Sequence, residues 1–323
     1  RLSECLADNG ITFGIDVFMR SMGFRREADR EIGALTPRAR RFADNYAAGV
    51  NYVLGRSGRP IELLLVRHSP DPWSVGDTLL TIKLMSYLGL AQSQQDVEKL
   101  IIETIHGGGS ISALRRLFSP HLHGLDSETV DRIRNLVHLE PLLPPEVRFL
   151  PGAPKVAASN NWALAGSRSA SGSPLQCNDP HLECNRLPPI WYEAEMHTHE
   201  DYQVGITMPG VPGLVMGRTP AISMGFTYGF MDMVDFFIEE CRGGTCRRSG
   251  GAEALETRAE TVRRKKHPDA EITLRENDLG VLEADPFTPD LADGLYLTRA
   301  WSGHRSGGAA SLEAIRRVPE LRT

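Results

Sequence analysis

The stretch "KVAASNNWALAGSRSASG", residues 155–172, decides how this chain is read. A run of small apolar residues ends at Ala158, and Ser159-Asn160-Asn161-Trp162 follows. From there the chain alternates like a strand. A lone serine between tiny residues at the mouth of a strand has two readings. One is a polar strand-entry loop. The other is a cleavage point, at which Ser159 becomes the first residue of a new chain.

The second reading has a definite chemistry. No GxSxG elbow surrounds Ser159, so the sharp strand-to-helix turn of that nucleophile class is missing here. A serine without it needs another base. Cleavage of the Ala158–Ser159 bond supplies one, the α-amino group of Ser159 itself. A free α-amine titrates near ~7.7–8.0, far better matched to neutral pH than a lysine. Hydroxyl and amine, through one water, then form a complete nucleophile-base unit. Ala157 and Ala158 are small enough for the loop to bend and for Ser159 to attack the preceding carbonyl. On the residues alone both readings stay open, and the plain strand-entry serine is the commoner case.

Upstream of this stretch the periodicity is helical. "TPRARRFADNYAAGVNYVLGR" opens with Thr36 as N-cap and Pro37 at the first helical position. Its apolar positions Phe42, Tyr46, Val50, Val53 and Leu54 recur at helical spacing and predict a buried stripe. "WSVGDTLLTIKLMSYLGLA" starts at Ser74, with Asp77 where a capping carboxylate belongs. "QQDVEKLIIETI", "SISALRRLF" and "SETVDRIRNLVHL" predict three more helices. Next comes a connector with Pro141, Pro144, Pro145, Pro151 and Pro154, which forbids a continuous helix or a central strand. Downstream the pattern has period two. "NWALAG", "SPLQCND", "PIWYEAEMHTH", "YQVGITM", "AISMGFTYG", "AEITLRE" and "GLYLTRAWSG" predict strands. The expected organisation is a helical segment 1–140, a Pro-rich connector 141–158 and a β-rich segment 159–323.

Composition narrows the function. The chain has 323 residues, a net charge of -5, 41% hydrophobic and 24% charged residues. These values suit a globular protein with a large core, and the helical then strand-like patterning makes it α+β. The mild acidity argues against nucleic acid as a partner, and the basic run Arg263–His267 reads as a solvated hairpin end. No apolar run approaches the ~20 residues of a membrane span. Five cysteines contain no CxxC pair, so a zinc cage is not expected. Cys241 and Cys246 bracket the glycine turn "CRGGTC", which suits either a disulfide or two free thiols in a hairpin. The first residues, "RLSECLADNG", carry no signal-peptide pattern and no Met, so a preceding segment is expected.

"SNNWALAGSRSASGSPLQCNDPHL", "PPIWYEAEMH" and "VGITMPGVPGLVMGRTPAISMGFTYGFMDMVDFFIEE" together resemble the penicillin acylase (penicillin amidase) family of N-terminal nucleophile hydrolases. "RLSECLADNGITFGIDVFMRSMGFRREA", "YAAGVNYVLG" and "HSPDPWSVGDTLLTIKLMSY" resemble that family's helical first chain, so the similarity runs through nearly the whole sequence. It implies a four-layer αββα fold. It also implies an amidohydrolase that matures by self-cleavage into a heterodimer of two chains from one precursor. Penicillin, cephalosporin and acyl-homoserine-lactone side chains are all substrates consistent with it, and the rival of another class is a non-catalytic fragment that only binds ligand or calcium. Relatives are mostly periplasmic or secreted, which implies export.

The resemblance also assigns roles residue by residue. Ser159 matches the nucleophile that begins the second chain. His181, in "NDPHL", matches a position that orients the serine hydroxyl, although a His capping the turn at Pro180 is the plainer alternative. Tyr228, in "GFTYGF", matches the residue whose backbone N–H forms half of the oxyanion hole. The family's other oxyanion donor, an asparagine, matches no position up to Thr323, so the chain reads as partial at its end as well. Asp232, the Val234 carbonyl and Asp235 match a Ca²⁺ site, with Asp96 as the acid from the first chain. Leu182, Met216 and Phe226 match positions that line the acyl pocket in some members, and as apolar residues they suit the core equally well.

Overall fold

The computed structural model describes residues 1–140, 158–181, 190–199, 201–227, 229, 232–248, 251–304 and 307–321. Nearly all of the Pro-rich connector lies outside the described residues. The helices are α1 (Leu2–Cys5), α2 (Gly10–Ser21), α3 (Phe24–Glu31), α4 (Pro37–Arg56), α5 (Ile61–Leu65), α6 (Val75–Ser86), α7 (Gln92–His106), α8 (Ile111–Leu117), α9 (Ser127–Arg134) and α10 (Gly308–Arg317). The strands are β1 (Ala158–Leu164), β2 (Leu175–His181), β3 (Tyr192–His197), β4 (Tyr202–Thr207), β5 (Met216–Arg218), β6 (Ser223–Met224), β7 (Val234–Arg242), β8 (Thr245–Arg248), β9 (Gly251–Ala254), β10 (Glu256–Val262), β11 (Ala270–Glu276), β12 (Val281–Glu283) and β13 (Gly294–Trp301). Helix thus dominates up to residue 140 and strand from 158 onward, with α10 returning to helix at the end.

The caps read from sequence form as expected. Ala39 N–H donates to Thr36 Oγ1 at 3.1 Å at the start of α4. Ser74 and Asp77 close a reciprocal capping box on α6, satisfying donors that the first turn leaves free. The expected apolar stripe of α4 is inside in part: Phe42 packs on the core, and Tyr46 and Val50 are half-buried. Ala39, Ala43 and Ala47 are buried, whereas Val53 and Leu54 are exposed. Alanine lets neighbouring helices approach closely, and Ala43 packs with Ala28, Val75, Leu79 and Leu312 from α3, α6 and α10. The last helix is therefore built into the helical layer of the first segment.

The strands form three sheets. One has seven strands, in the order β10-β11-β12-β13-β7-β8-β9; one has four, β3-β4-β5-β6; and β1-β2 make a two-stranded ladder. Strand alternation decides which face of the large sheet meets the helices. On β7 and β13, Val234 pairs Trp301, Phe236 pairs Arg299 and Ile238 pairs Leu297. These residues face the helices. Val234 and Trp301 pack with Met22, Phe24, Tyr87 and Ala91, and Leu297 packs with Ile105, Leu114, Val130 and Ile133. Cys241 and Cys246 pair across β7 and β8 on the opposite face, buried and joined in a disulfide. Of the two readings of "CRGGTC", the bonded hairpin is the one present.

Charged contacts also join the helical segment to the strands. Arg20 pairs with Glu260 at 3.0 Å and Arg26 with Glu276 at 2.5 Å. Lys99 of α7 pairs with Glu283 of β12, and Glu283 also meets Arg299 of β13 at 3.3 Å. All three of these last side chains are buried.

Candidate active site

Ser159 lies one residue into β1, opposite Pro180 of β2. Directly opposed residues share a face of an antiparallel ladder, and the face changes with each step. One face of β1-β2 therefore carries Ser159, Asn161, Gln176, Asn178 and Pro180. The other carries Asn160, Asp179 and His181. This parity governs everything around the serine.

On the Ser159 face the chain of residues 223–227 runs alongside, held by amides. Asn161 Nδ2 donates to the Gly225 carbonyl at 2.7 Å, and Gln176 Nε2 donates to Asn161 Oδ1 at 3.0 Å. Ser223 Oγ donates to Gln176 Oε1 at 3.0 Å. Asn178 grips residue 226 at both ends: Phe226 N–H donates to its Oδ1 at 3.0 Å, and its Nδ2 donates to the Phe226 carbonyl at 3.1 Å. The same Nδ2 donates to the Asn160 carbonyl at 2.9 Å. Residue 225 has to be glycine for this approach. A Cβ there would stand 2.2 Å from Gln176 Nε2 and 2.9 Å from Asn178 Cβ. The result sets Thr227 against Ser159, with their hydroxyls hydrogen-bonded to each other and Thr227 Oγ1 3.1 Å from the Ser159 carbonyl oxygen.

His181 does not join this group. Its Nε2 lies 2.8 Å from Asp179 Oδ2 and 3.4 Å from Asn160 Nδ2. All three residues sit on the face away from the Ser159 side chain. The hydrogen bonds of His181 therefore go to Asp179 and Asn160, and the hydroxyl it was expected to orient is held by Thr227. The resemblance placed His181 next to Ser159, and in the β1-β2 ladder period-two alternation turns the two side chains to opposite faces. Thr227 was missed because nothing in "GFTYGF" marks one threonine for a strand 68 positions away in sequence. The available signal was polar alternation, Asn161 with Gln176 and Asn178 on one face of the ladder. Tyr228 and Leu182 lie outside the described residues. Met216 is buried, 4% exposed, in the four-stranded sheet, and Phe226 is exposed beside Thr227. Met216 is thus a core side chain here.

A second polar group lies where α7 meets the start of β7. Gln94 binds four backbone and side-chain groups there, the Val234 N–H at 3.3 Å among them. Its Oε1 accepts from Met233 N–H at 2.8 Å, and its Nε2 donates to the Val234 carbonyl at 3.1 Å and to Asp232 Oδ1. Glu98, one turn further along α7, faces the same acids. Burial pushes its carboxyl up to about 7, with Asp235 and Asp232 adding to the rise. Burial, and then Asp232, raise Asp235 as well. Asp96 points elsewhere. Its Oδ1 is buried with no hydrogen-bond partner, its charge is felt by Tyr87, and burial alone pushes its carboxyl up to about 6. Glu98, rather than Asp96, is the α7 carboxylate whose charge is coupled to Asp232 and Asp235. Two helix positions turn a side chain by roughly 200°, so Asp96 and Glu98 cannot face the same group.

The donor chemistry of this group fits a hard cation: carboxylates from Asp232, Asp235 and Glu98 and the Val234 carbonyl. Among the described residues no lysine or arginine ion-pairs with these acids. The carboxylates are not closed into one shell. The only trio of candidate ligand atoms within 4.8 Å of one another, among the described residues, is Glu239 with Cys241 and Cys246, and those two sulfurs are bonded to each other.

Together these observations define a mixed helix-and-sheet protein with a serine clamped at a strand head. Comparison with known proteins then identifies it further: the penicillin amidase family model matches residues 1–323, and the chain belongs to that family. It is similar to the acyl-homoserine lactone acylase QuiP of Pseudomonas aeruginosa, at 29% identity over 75% of this chain and 29% of that protein. It is also similar to the penicillin acylase 2 proenzyme of Pseudomonas sp. strain SE83, at 26% identity over 84% of this chain and 36% of that protein. The chain therefore spans about a third of the length of these relatives. A solved thermostable penicillin G acylase from Alcaligenes faecalis overlaps 42% of this chain and 24% of that chain, at 22% identity and a TM-score of 0.36. That overlap is too partial to define the fold.

Proposed function

We propose that this chain supplies the nucleophile-bearing part of an acylase that hydrolyses the amide bond of an N-acyl substrate. The observation that carries the reading is Ser159 at the head of β1, its hydroxyl held by Thr227, in a chain that the penicillin amidase family matches throughout. Maturation begins when Ser159 Oγ attacks the Ala158 carbonyl. The acyl group moves from nitrogen to oxygen, and water hydrolyses the ester. Ser159 is left with a free α-amine. In turnover the hydroxyl proton passes to that amine as Oγ bonds to the substrate carbonyl carbon. The backbone N–H of Tyr228 donates to the oxyanion. The C–N bond breaks, the leaving amine takes the proton from the α-ammonium, and water then frees the acid from the ester. The fold that goes with this chemistry is the four-layer αββα sandwich, with the helices described above as one outer layer.

The substrate is a small N-acyl amide with an apolar acyl group, as exposed Phe226 beside Thr227 suits. An acyl-homoserine lactone and a penicillin are the two candidates, from the names of the relatives at 29% and 26% identity. Calcium is proposed as a structural ion held by Asp232, Asp235, the Val234 carbonyl and Glu98. It would supply charge neutralisation between α7 and β7 and takes no part in bond breaking. A periplasmic or secreted location agrees with the buried Cys241–Cys246 disulfide, which persists in oxidising compartments.

The test is mass spectrometry and N-terminal sequencing of the protein expressed from its full reading frame. Two chains are expected, one beginning at Ser159, with Ser159→Ala leaving a single uncut and inactive chain. Active enzyme with an intact Ala158–Ser159 bond would overturn the reading.

A further inference from the structure

We propose that Thr227 is the positioning residue for the Ser159 hydroxyl, and that Asn178 holds it there. The proposal rests on Ser159 as the nucleophile and goes beyond it. A threonine hydroxyl has one proton, and a carbonyl oxygen can only accept. Thr227 Oγ1 lies 3.1 Å from the Ser159 carbonyl oxygen and so donates to it. Its contact with Ser159 Oγ is then one in which the serine donates and Thr227 accepts. With Thr227 donating to the carbonyl, the proton order runs Ser159 Oγ–H to Thr227 Oγ1–H to Ser159 C=O. That loop holds the serine side-chain rotamer, and the hydroxyl proton leaves Thr227 for the α-amine when Oγ attacks.

Thr227 is well placed for this because its neighbour is clamped. The Asn178 amide binds both backbone groups of residue 226 and, at the same time, the Asn160 carbonyl of the nucleophile strand. One side chain therefore sets the distance between β1 and the segment leading to residue 228. His181 lies across the ladder from this face, next to Asp179 and Asn160, and takes no part. Among the described residues, Thr227 is the side-chain partner of the Ser159 hydroxyl.

The experiment uses the full-length protein with Thr227→Val, Thr227→Ser and Asn178→Ala, and Ser159→Ala as control. It follows cleavage of the Ala158–Ser159 bond by mass spectrometry. It also measures kcat and KM on an N-acyl-4-nitroanilide and the rate of Ser159 labelling by phenylmethylsulfonyl fluoride. Losing one hydrogen bond of this kind is expected to lower kcat and labelling about tenfold. Thr227→Val should do so with KM within about twofold, because the substrate loses no contact. Thr227→Ser, which restores the hydroxyl, should recover most of both, and Asn178→Ala should resemble Thr227→Val. Wild-type labelling and kcat in Thr227→Val, or no rescue by Thr227→Ser, would overturn the proposal while leaving the nucleophile intact. Cleavage or activity in Ser159→Ala would instead overturn the nucleophile itself.

Discussion

His304 packs edge-on against Trp301, with ring centroids 5.4 Å apart, at the end of β13. Burial pushes its ring down from 6.5 to about 4, with Arg299 adding to the fall and Glu27 and Glu276 opposing it. A histidine held that low is neutral in the folded protein and charged in the unfolded chain across this window. The unfolded state then binds the extra proton, so stability is lost as pH drops from about 6.5 toward about 4. We expect His304→Gln to flatten that part of the stability curve relative to wild type, measured as urea midpoints at stepped pH. Parallel curves in the two proteins would contradict the assignment. The same residue scale explains why Ser159 and His181 part company: each side chain obeys the alternation of its own strand, whatever motif it belongs to.

At the scale of elements, α7 is anchored to the sheet through charge. Lys99 enters from the helix and Arg299 from β13, and Glu283 of β12 meets both. All three are nearly withdrawn from water, with side-chain exposures of 3%, 5% and 2%. Replacing a buried triad by apolar residues can be neutral, but removing its carboxylate leaves Lys99 and Arg299 buried without that partner. Glu283→Gln is therefore expected to cost about 3–5 kcal/mol, read from the urea midpoint at constant slope. A loss below about 1 kcal/mol would mean that water reaches the triad. The α4 stripe belongs to this scale too. Helical spacing in its sequence was legible, and Phe42 packs inward beside the alanines, yet Val53 and Leu54 face out. Periodicity locates a helix, but only the packing of α6 and α10 decides which face is inside.

For the whole molecule, the proposed calcium site joins the helical segment to the strands through Glu98 on one side and Asp232 and Asp235 on the other. An ion bound only in the native state raises the melting temperature by mass action. Chelation should lower the Tm of the wild-type protein and leave an Asp232→Asn/Asp235→Asn double variant unchanged. Equal shifts in both proteins would show that these aspartates hold no ion. The joint is not electrostatic alone. Met22, Phe24 and Tyr87 bury against Val234 and Trp301 across the same boundary. The two segments share a core, which is what a protein cut at Ala158–Ser159 needs if its chains are to stay together.

Much of this was determined by the sequence alone, because it depends on neighbours along the chain. The caps at Thr36 and Ser74, the switch from helical to strand periodicity around Ser159 and the family motifs are all local patterns. Hydrogen-bonding side chains and hydrophobic spacing act over a few residues, so they can be read in order. Tertiary structure alone decided the partners. Thr227 reaches Ser159 because β6 and the loop after it run beside β1, and Asn178 fixes that approach through three hydrogen bonds. Gln94 of α7 reaches both Glu98 and Asp232 because α7 lies against the start of β7. Cys241 and Cys246 are bonded because β7 and β8 pair them in register. Each of these is a distance between residues remote in sequence or turned by a neighbouring element. Such distances are set by how whole faces pack, and no single stretch of residues records them.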